Sequence, residues 1–446
     1  MPHRYATLSG ALLLATGLSA QLTYQLGGTT LLIDEVVDSS RVDIPWEIIW
    51  GPDDRLWMTD GPRITRWDPV TNVIDTLLDR GYGNGLGMVL HPDFPGTPIV
   101  LAVFDTSAYY ASGTICEVSR FTYDEQADVL VDEQVLFTYP HSGEHAAGRL
   151  LFDTTGHVLL TTADYWAPDD TLFYPRGKVL RFNTEGGVPP DNPRGDHTWT
   201  WGHRNPQGLA MLPNGNVVAV EHGQATNEVN LIERDHNYGW FAFDAAFCTN
   251  VWPDSCSSPT FQNTLPVAAS FFQAPSGSEY YTSDAIPELT DKLLSCILWA
   301  KGIKTFTFNA AFDSVPVQGY LEGGAFNVMW RNRDIAIRPD GGFYLITNDR
   351  MDARIRWVHP DIGTATVPVA ADGDIVRAWP NPTNEKLFVD VADGARVLGV
   401  LDAQGRSVVV PMDRMGDRFI LDVAALSTGV YTVRTSGGHA ARFIKR

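Results

Sequence analysis

The sequence predicts an all-β protein, a six-bladed β-propeller followed by a small C-terminal β-sandwich domain. A short turn phrase, rich in Pro, Asp, Asn and Gly, recurs ahead of strands whose residues are alternately or continuously apolar. Each copy favours a hairpin. Almost no helical periodicity separates the copies, and a hairpin that recurs along a chain is typical of a sheet repeated around an axis.

Four copies of the turn phrase are evident, at residues 51–57, 153–159, 212–218 and 338–344. The propeller is expected over residues 21–362. At roughly 50 to 60 residues for each four-stranded blade, this length favours six blades. An array of β-sandwiches would also produce many strands, but it gives less reason for one phrase to recur.

The composition changes after the propeller. Residues 363–374 are rich in Gly, Ala, Thr, Val and Pro and indicate a linker, and residues 375–446 contain short alternating strands that indicate a separate β-sandwich. A Trp-Pro-Asn-Pro opening at residues 379–382, a Gly-Val-Tyr strand at 429–431 and a basic end at 442–446 mark this tail. It resembles the C-terminal sorting domain of the type IX secretion system, which implies delivery by that machinery; the alternative is an accessory β-sandwich.

The N-terminus has the features of a secretory signal. His3 and Arg4 precede an apolar run at residues 11–18, and small residues follow it. The run is too short to span a bilayer. Residues 1–20 are therefore predicted to be a signal peptide that is cleaved before Gln21, and the mature protein is expected to be secreted or placed at the cell surface.

The charge balance excludes some classes of partner. The chain has 33 basic and 53 acidic residues, a formal net charge of -20. Such a charge disfavours phosphate backbones and anionic membranes. No nucleic acid is expected as a partner.

Four cysteines are too few for a disulfide scaffold. Cys248 and Cys256 flank a short loop, and in an oxidising compartment their spacing suits a local bridge. A second expected pairing is that of Cys116 with Cys296.

The segment at residues 202–208, Gly-His-Arg-Asn-Pro-Gln-Gly, presents Arg204 and Asn205 where the backbone must turn. In a propeller, such loops converge at one end of the central channel. Other polar residues at strand ends share this placement. They are Glu144, His145, Asp164, Lys301, Arg331 and Arg333.

Each of these residues taken alone has a structural explanation, such as a hydrogen-bonding histidine or a surface arginine. Together they place one histidine, a carboxylate and four cations in one channel of an otherwise acidic protein. An anionic partner would balance the cations, and guanidinium groups suit bidentate pairing with carboxylates. The set therefore favours a small ligand that bears several carboxylates.

From residue 44 to about residue 349, the chain resembles the soluble, pyrroloquinoline quinone (PQQ)-dependent glucose/sorbosone (aldose sugar) dehydrogenase family. The order and spacing of ten motifs make the resemblance specific. They lie at residues 50–53, 90–94, 145–150, 177–181, 190–193, 202–208, 221–223, 228–230, 237–240 and 331–334.

The resemblance implies a quinoprotein dehydrogenase that oxidises the anomeric hydroxyl of aldose-type sugars to lactones. His145 would accept the hydroxyl proton while a hydride passes to the quinone, Asp164 would orient His145, and Arg204 would stabilise charge on the quinone. The residues implied to hold the cofactor are Arg204, Asn205, Lys301, Arg331 and Arg333. The main-chain carbonyls of Gly223 and Gln224 are implied to hold a calcium ion.

The chain also departs from the family pattern. Gln224 stands where proline is usual, and Asn227 weakens the case for a second calcium site. The loops at residues 165–174 and 268–275 match poorly, and a threonine that touches the cofactor is not evident near Phe272. These loops lie over the sugar, so the sugar stays open, as does the electron acceptor.

Two other classes of protein compete with the dehydrogenase. One is a catalytically inactive cell-surface propeller that binds carbohydrate or protein. The presence of a base together with the cation cluster argues against it. The other is a calcium-dependent lactonase-type propeller, which would need inward Asp, Asn and Glu side chains around a metal, and the sequence does not indicate that set.

Overall fold

The computed structural model describes most of the 446 residues. The described ranges are 22–106, 114–141, 145–164, 175–223, 227–240, 268–271, 273–324, 326, 331–349, 352–361, 377–379, 383–390, 397–401, 407–415, 418–435 and 440–446. The predicted signal peptide and linker, and the pair Cys248 and Cys256, lie outside them. No helix long and apolar enough to cross a bilayer occurs among the residues described.

The described residues between 22 and 361 form six antiparallel sheets. The chain starts with β1 (Leu22–Leu26) and β2 (Thr29–Val37). Five four-stranded sheets follow in chain order. The first three contain β3 (Pro45–Trp50), β4 (Leu56–Asp60), β5 (Arg63–Asp68) and β6 (Val73–Asp79); β7 (Asn84–Leu90), β8 (Ile99–Asp105), β9 (Thr114–Asp124) and β10 (Val129–His141); and β11 (Ala147–Phe152), β12 (Val158–Thr162), β13 (Lys178–Phe182) and β14 (Thr198–Trp201).

The remaining sheets complete this part of the chain. The fourth and fifth contain β15 (Pro206–Met211), β16 (Val217–Glu221), β17 (Asn227–Leu231) and β18 (Ala268–Phe271), then β19 (Pro275–Tyr281), β20 (Lys292–Ile297), β21 (Ile303–Thr307) and β22 (Val317–Leu321). The sixth contains β23 (Asn332–Ile337), β24 (Phe343–Thr347) and β25 (Arg354–Pro360), joined by β2 and β1.

The sixth sheet joins the two ends of the propeller. β2 pairs with β25, with Ile33 opposite Val358. The first strands of the sheets, β3, β7, β11, β15, β19 and β23, contact one another in a closed ring. Sheets packed around such a ring form a propeller, and the predicted all-β propeller class is confirmed.

The turn phrase explains why the sheets start alike. All four copies connect the first and second strands of a sheet. In each copy the residue before the turn donates its backbone N–H to the residue after it. The N···O distances are 2.8 Å for Gly51 to Arg55, 2.7 Å for Asp153 to His157, 2.7 Å for Leu212 to Asn216 and 2.8 Å for Arg338 to Gly342.

Glycines let the inner strands approach closely. A Cβ on Gly87 of β7 would lie 2.0 Å from the backbone oxygen of Gly148 in β11. A Cβ on Gly277 of β19 would lie 1.7 Å from Oδ1 of Asp334 in β23. Because no side chain fits at these points, glycine there sets the width of the ring.

The described residues of the tail form two four-stranded antiparallel sheets. One contains β26 (Arg377–Trp379), β27 (Lys386–Asp390), β30 (Met412–Met415) and β31 (Arg418–Asp422), and the other contains β28 (Val397–Leu401), β29 (Ser407–Val408), β32 (Gly429–Thr435) and β33 (Ala440–Lys445). Leu387, Val400, Leu421 and Phe443 from both sheets are buried in one apolar cluster. Alternation along each strand places these residues on the inner face.

The possible pairing of Cys116 with Cys296 is wrong. Both are buried reduced thiols, in β9 and β20 of different sheets. Burial raises the pKa of both thiols well above the ordinary value. They therefore act as small apolar core residues.

The close approach at Gly87 can be tested by substitution. We expect Gly87→Ala to lower the free energy of unfolding by about 1–3 kcal/mol, because the added methyl group forces two backbones apart. Urea denaturation measures the change. Gly28→Ala is the control, since its Cβ would meet nothing closer than Glu288 Oε1 at 3.6 Å. Equal midpoints for the two variants would show that the ring does not depend on this contact.

Candidate active site

The loops that carry the predicted site residues open at one end of the ring of inner strands. Antiparallel pairing sets Ala147 opposite Thr162 and Pro206 opposite Glu221. The start of β11 thus lies beside the end of β12, and the start of β15 beside the end of β16. The start of β23 likewise lies beside the end of β24, with Asn332 opposite Thr347. The site residues lie as follows: His145 before β11, Asp164 after β12, Arg204 and Asn205 before β15, Gly223 after β16, Lys301 after β20, Arg331 before β23 and Arg333 within it.

His145, Asp164 and Arg204 belong to three loops in direct contact. The backbone N–H of Asp164 donates to the carbonyl oxygen of Arg204 at 2.7 Å. The ring of His145 is hydrogen-bonded to the backbone of Asp164, which favours the protonated ring. This bond can orient the imidazole through the main chain of Asp164. All three residues are buried.

The rings of two histidines, His145 and His222, meet edge to face beside the Arg204 guanidinium. The ring centroids of His145 and His222 are 6.2 Å apart. Burial, and then the charge of Arg204, lower the pKa of His145 to about 3, and the same two causes lower that of His222 to about 4. Both rings are therefore neutral at ordinary pH. A neutral imidazole can accept a proton.

A buried carboxylate anchors the loop at residues 202–208. Glu221 Oε1 accepts the backbone N–H groups of Arg204 and, at 3.2 Å, of Asn205. Its Oε2 lies 3.0 Å from Nδ1 of His203, and that ring stacks on Tyr238 with centroids 4.5 Å apart. The loop is thereby fixed at its backbone.

The guanidinium of Arg204 is held against the next loop. Nη1 donates to the carbonyl oxygens of His222 at 2.8 Å and Gly223 at 3.1 Å. Its Cζ lies 5.3 Å from the ring centroid of Trp240. These contacts fix a positive charge next to the two neutral histidines.

Arg333 is the second buried cation of the site. Its Nη1 donates to Oε1 of Gln207 at 2.9 Å and to Oγ of Ser276 at 3.2 Å. The amide of Asn348 is oriented with its oxygen toward Arg333, because only this orientation satisfies both amide atoms. Nε of Arg333 then donates to that oxygen at 2.8 Å. The Cζ atom lies 5.5 Å from the ring of Trp46.

Lys301 and Arg331 lie in two loops that are tied together at the start of β23. The Asn332 amide donates to the carbonyl oxygen of Gly302 at 3.0 Å, and thus ties the loop of Lys301 to the start of β23. The spacing of Arg331 and Arg333 predicts side chains on one face of an extended segment. Arg331 instead has a φ of 55°, so strand alternation does not set its direction.

The sequence did not predict the buried ion pairs that Arg149 forms with Glu47 and Asp334. Nη1 of Arg149 lies 2.8 Å from Glu47 Oε2 and 3.0 Å from Asp334 Oδ1. Nε and Nη2 donate to the backbone oxygens of Gln207 at 2.7 Å and Arg333 at 3.2 Å. Burial raises the pKa of both carboxyl groups. The only indication of Arg149 in the sequence is that it lies within the motif at residues 145–150.

The donor set fits an anionic ligand that accepts hydrogen bonds. Arg204 and Arg333 are positive. Asn205 follows Arg204 in the sequence, and its amide oxygen accepts from Gln207, which is also a partner of Arg333. Carboxylate and carbonyl oxygens pair well with such donors. Pyrroloquinoline quinone offers both kinds of acceptor, so the residues present fit it.

The fit to calcium depends on that ligand. Gly223 is the described member of the predicted pair, while Gln224 lies outside the described residues. A cation on the Gly223 oxygen would lie beside the guanidinium of Arg204, and like charges repel. A shared anionic ligand would offset this repulsion. Within the described ranges, no group of three or more His, Cys, Asp or Glu side chains is placed to hold a metal.

The depressed pKa of His145 predicts a pH effect on the apoprotein. Its folded value, about 3, lies below the ordinary 6.5. Below about pH 6.5 the unfolded chain binds a proton that the folded chain does not, so stability falls as pH falls. We expect His145→Asn to reduce the loss of stability between about pH 7 and about pH 5 by about 1–2 kcal/mol.

Urea denaturation of the apoprotein at the two pH values measures this difference. His236→Asn, at a half-exposed position, is the matched control and should lose stability as the unmodified chain does. An unchanged pH dependence in His145→Asn would contradict the assignment of a buried neutral imidazole.

Two family models match the chain. One, described as glucose/sorbosone dehydrogenase, matches residues 42–357, and the other, described as a secretion system C-terminal sorting domain, matches residues 377–446. Both resemblances found in the sequence are confirmed. A sorting domain of this kind indicates delivery to the cell surface or outside the cell.

Individual relatives agree with the first match. The chain is 31% identical over 257 residues to quinoprotein glucose dehydrogenase B of Acinetobacter calcoaceticus, which covers 46% of this chain and 52% of that protein. The chain therefore spans about half the length of this relative. It is 27% identical over 359 residues to aldose sugar dehydrogenase YliI of Escherichia coli, which covers 74% of this chain and 93% of that protein.

Solved structures share the fold. The soluble aldose sugar dehydrogenase of Escherichia coli in its apo-form matches with a TM-score of 0.62 and 24% identity, over 74% of this chain and 99% of that chain. The PQQ-bound aldose sugar dehydrogenase of Streptomyces coelicolor matches with a TM-score of 0.60 and 23% identity, over 74% and 98%. By the family match over residues 42–357, this chain belongs to the glucose/sorbosone dehydrogenases, a family of sugar-oxidising oxidoreductases.

Proposed function

We propose that the protein is a quinoprotein dehydrogenase that oxidises the anomeric hydroxyl of aldose-type sugars to lactones, with pyrroloquinoline quinone as hydride acceptor. One observation carries the proposal. A buried, neutral imidazole, His145, stands beside a fixed guanidinium, Arg204. A proton acceptor next to a positive charge suits a reaction that removes a proton and places negative charge on a neighbouring acceptor.

His145 accepts the hydroxyl proton in this proposal. A pKa of about 3 makes the ring a weak base, and general bases work best with a pKa near the operating pH. The charge of Arg204 is the second cause of the depression. An anionic ligand paired with Arg204 would offset that charge, raise the pKa of His145 and strengthen the base.

Asp164 acts on His145 through its backbone, which is hydrogen-bonded to the imidazole ring. The bond from the His145 ring to the Asp164 backbone favours the protonated imidazole, which is the form that exists after proton uptake. We propose that this bond orients the ring and stabilises its charge during the reaction. The backbone of Asp164 is itself fixed by its bond to Arg204.

The cations and the amide hold the cofactor in this proposal. The quinone, when bound, supplies the electrophilic centre that takes up the hydride. Arg204 stabilises the charge that develops there. The remaining proposed contacts come from Asn205, Lys301, Arg331 and Arg333.

Calcium would be held by the main-chain oxygens of Gly223 and Gln224 together with the cofactor. The Gly223 oxygen already accepts from Arg204, so we propose that the ion binds after, or with, the anionic cofactor. Carbonyl oxygens suit this hard cation. The ion would then polarise the bound quinone.

The tail supports a proposal on location and domain division. We propose a propeller over residues 21–362 and a sorting domain over residues 375–446 that directs the chain to the type IX secretion machinery. The residues before 21 would be removed as a signal peptide. The sugar would then be oxidised outside the cell, with an electron acceptor that is still to be identified.

The proposed function is tested by reconstitution. Apoprotein is mixed with pyrroloquinoline quinone and calcium, and dye reduction is followed with a panel of aldoses. Sugar-dependent reduction that requires the quinone supports the proposal. A protein that neither reduces dye nor changes the absorption spectrum of the quinone would instead be an inactive binding propeller.

His145 should affect turnover rather than binding. We expect His145→Ala to lower kcat by roughly a hundredfold or more, on the usual worth of a general base, with little change in the Kd for the quinone. Arg331→Ala should first weaken retention of the cofactor. Steady-state kinetics and a fluorescence titration with quinone measure the two effects, and an unchanged kcat in His145→Ala would exclude its assigned role.

A further inference from the structure

Three buried polar side chains form a hydrogen-bonded chain across the site. Arg333 Nη1 donates to Gln207 Oε1 at 2.9 Å, and Gln207 Nε2 donates to Asn205 Oδ1 at 2.9 Å. All three residues are at most 7% exposed. The chain joins β23 to the loop before β15, and it connects two of the predicted cofactor residues through one that had no assigned role.

The direction of this chain is set by Arg333. A guanidinium has donors and no acceptor, so the amide group of Gln207 must turn its oxygen toward Arg333. The Gln207 amide nitrogen then faces Asn205 and donates to its side-chain oxygen. The oxygen of the Asn205 amide is thereby used, and its nitrogen is the group left to donate. The orientation of both amides follows from the fixed charge rather than from their own shape.

The backbone prevents the chain from rearranging. The carbonyl oxygen of Gln207 accepts from Arg149 Nε at 2.7 Å, and the backbone N–H of Asn205 donates to Glu221 at 3.2 Å. Gln207 lies within β15. A residue that is fixed at its main chain and at both ends of its side chain can position its neighbour.

The nitrogen of Asn205 has a matching partner in the proposed cofactor. Within the described part of the chain, Asn205 Nδ2 makes no hydrogen bond in this arrangement. Quinone carbonyls and carboxylates only accept hydrogen bonds. An Asn205 amide turned the other way would present an oxygen to them and repel them.

We propose that Gln207 is a positioning residue that fixes the Asn205 amide with its nitrogen toward the acceptor atoms of the cofactor. The inference rests on the proposed function, because it takes pyrroloquinoline quinone as the ligand. Gln207 itself acts through Asn205 and Arg333.

Two variants separate this role from simple packing. Gln207→Met keeps the length of the side chain but cannot donate to Asn205, while Arg333 retains Ser276 and Asn348 as partners. Gln207→Glu keeps an acceptor for Arg333 but lacks the donor. We expect each to raise the Kd of the apoprotein for the quinone roughly tenfold, on the worth of a hydrogen bond to a charged group. Fluorescence titration with the quinone and calcium measures the Kd.

A double-mutant cycle with Asn205→Ala shows whether Gln207 acts through Asn205. In the Asn205→Ala background, we expect Gln207→Met to change the Kd by less than about twofold, because the group it positions is gone. Gln318→Met, at an exposed position of β22, is the control for loss of an amide elsewhere. Circular dichroism and urea midpoints establish that each variant is folded.

The outcomes distinguish this inference from the proposed function. If the unmodified apoprotein does not bind the quinone, both are wrong. If it binds, and Gln207→Met binds equally well or has the same effect with and without Asn205, the positioning role is overturned while the proposed function stands. Should Gln207→Glu bind as the unmodified chain does, the donor to Asn205 is not needed and the inference also fails.

Discussion

The buried guanidinium of Arg149 is the interaction on which the centre of the molecule depends. It reaches Glu47 in β3, the backbone of Gln207 in β15 and both the backbone and a carboxylate in β23. Arg149 itself lies in β11, so four of the six inner strands meet at one side chain. Because an isolated buried charge is very unfavourable, these strands must close around it together.

The buried contacts of Arg149 also support the candidate site. Gln207 and Arg333, whose backbone oxygens accept from Arg149, also meet through their side chains. Glu221 in turn holds the backbone of Arg204 and Asn205. The backbone of Arg204 and Asn205 and the side chain of Arg333 are thereby held by buried bonds. A site built in this way is ordered before any ligand arrives, which reduces the entropy lost on binding.

The candidate site contains buried positive charges, whereas the whole chain is strongly negative. The protein has a formal net charge of -20, yet its buried polar core at this site contains fixed guanidinium groups and histidines that stay neutral. Burial and the charge of Arg204 keep a proton off His145. A polyanionic cofactor would therefore do more than occupy the space, since it would offset the cations and change the basicity of the histidine beside them.

The sequence by itself determined the fold class, because strand alternation and a turn phrase that recurs four times are local properties of the chain. It also predicted His145, Arg204 and Arg333 as candidate site residues, because they stand in motifs with a fixed order. It could not show that Arg331 leaves the extended conformation, that Cys116 and Cys296 belong to separate sheets, or that His145 contacts the backbone of Asp164. Only the tertiary structure decided the contacts of Arg149, Glu221 and Gln207. Their partners lie on other strands, and the distance between two strands in space is set by how the sheets close into a ring, not by their separation along the chain.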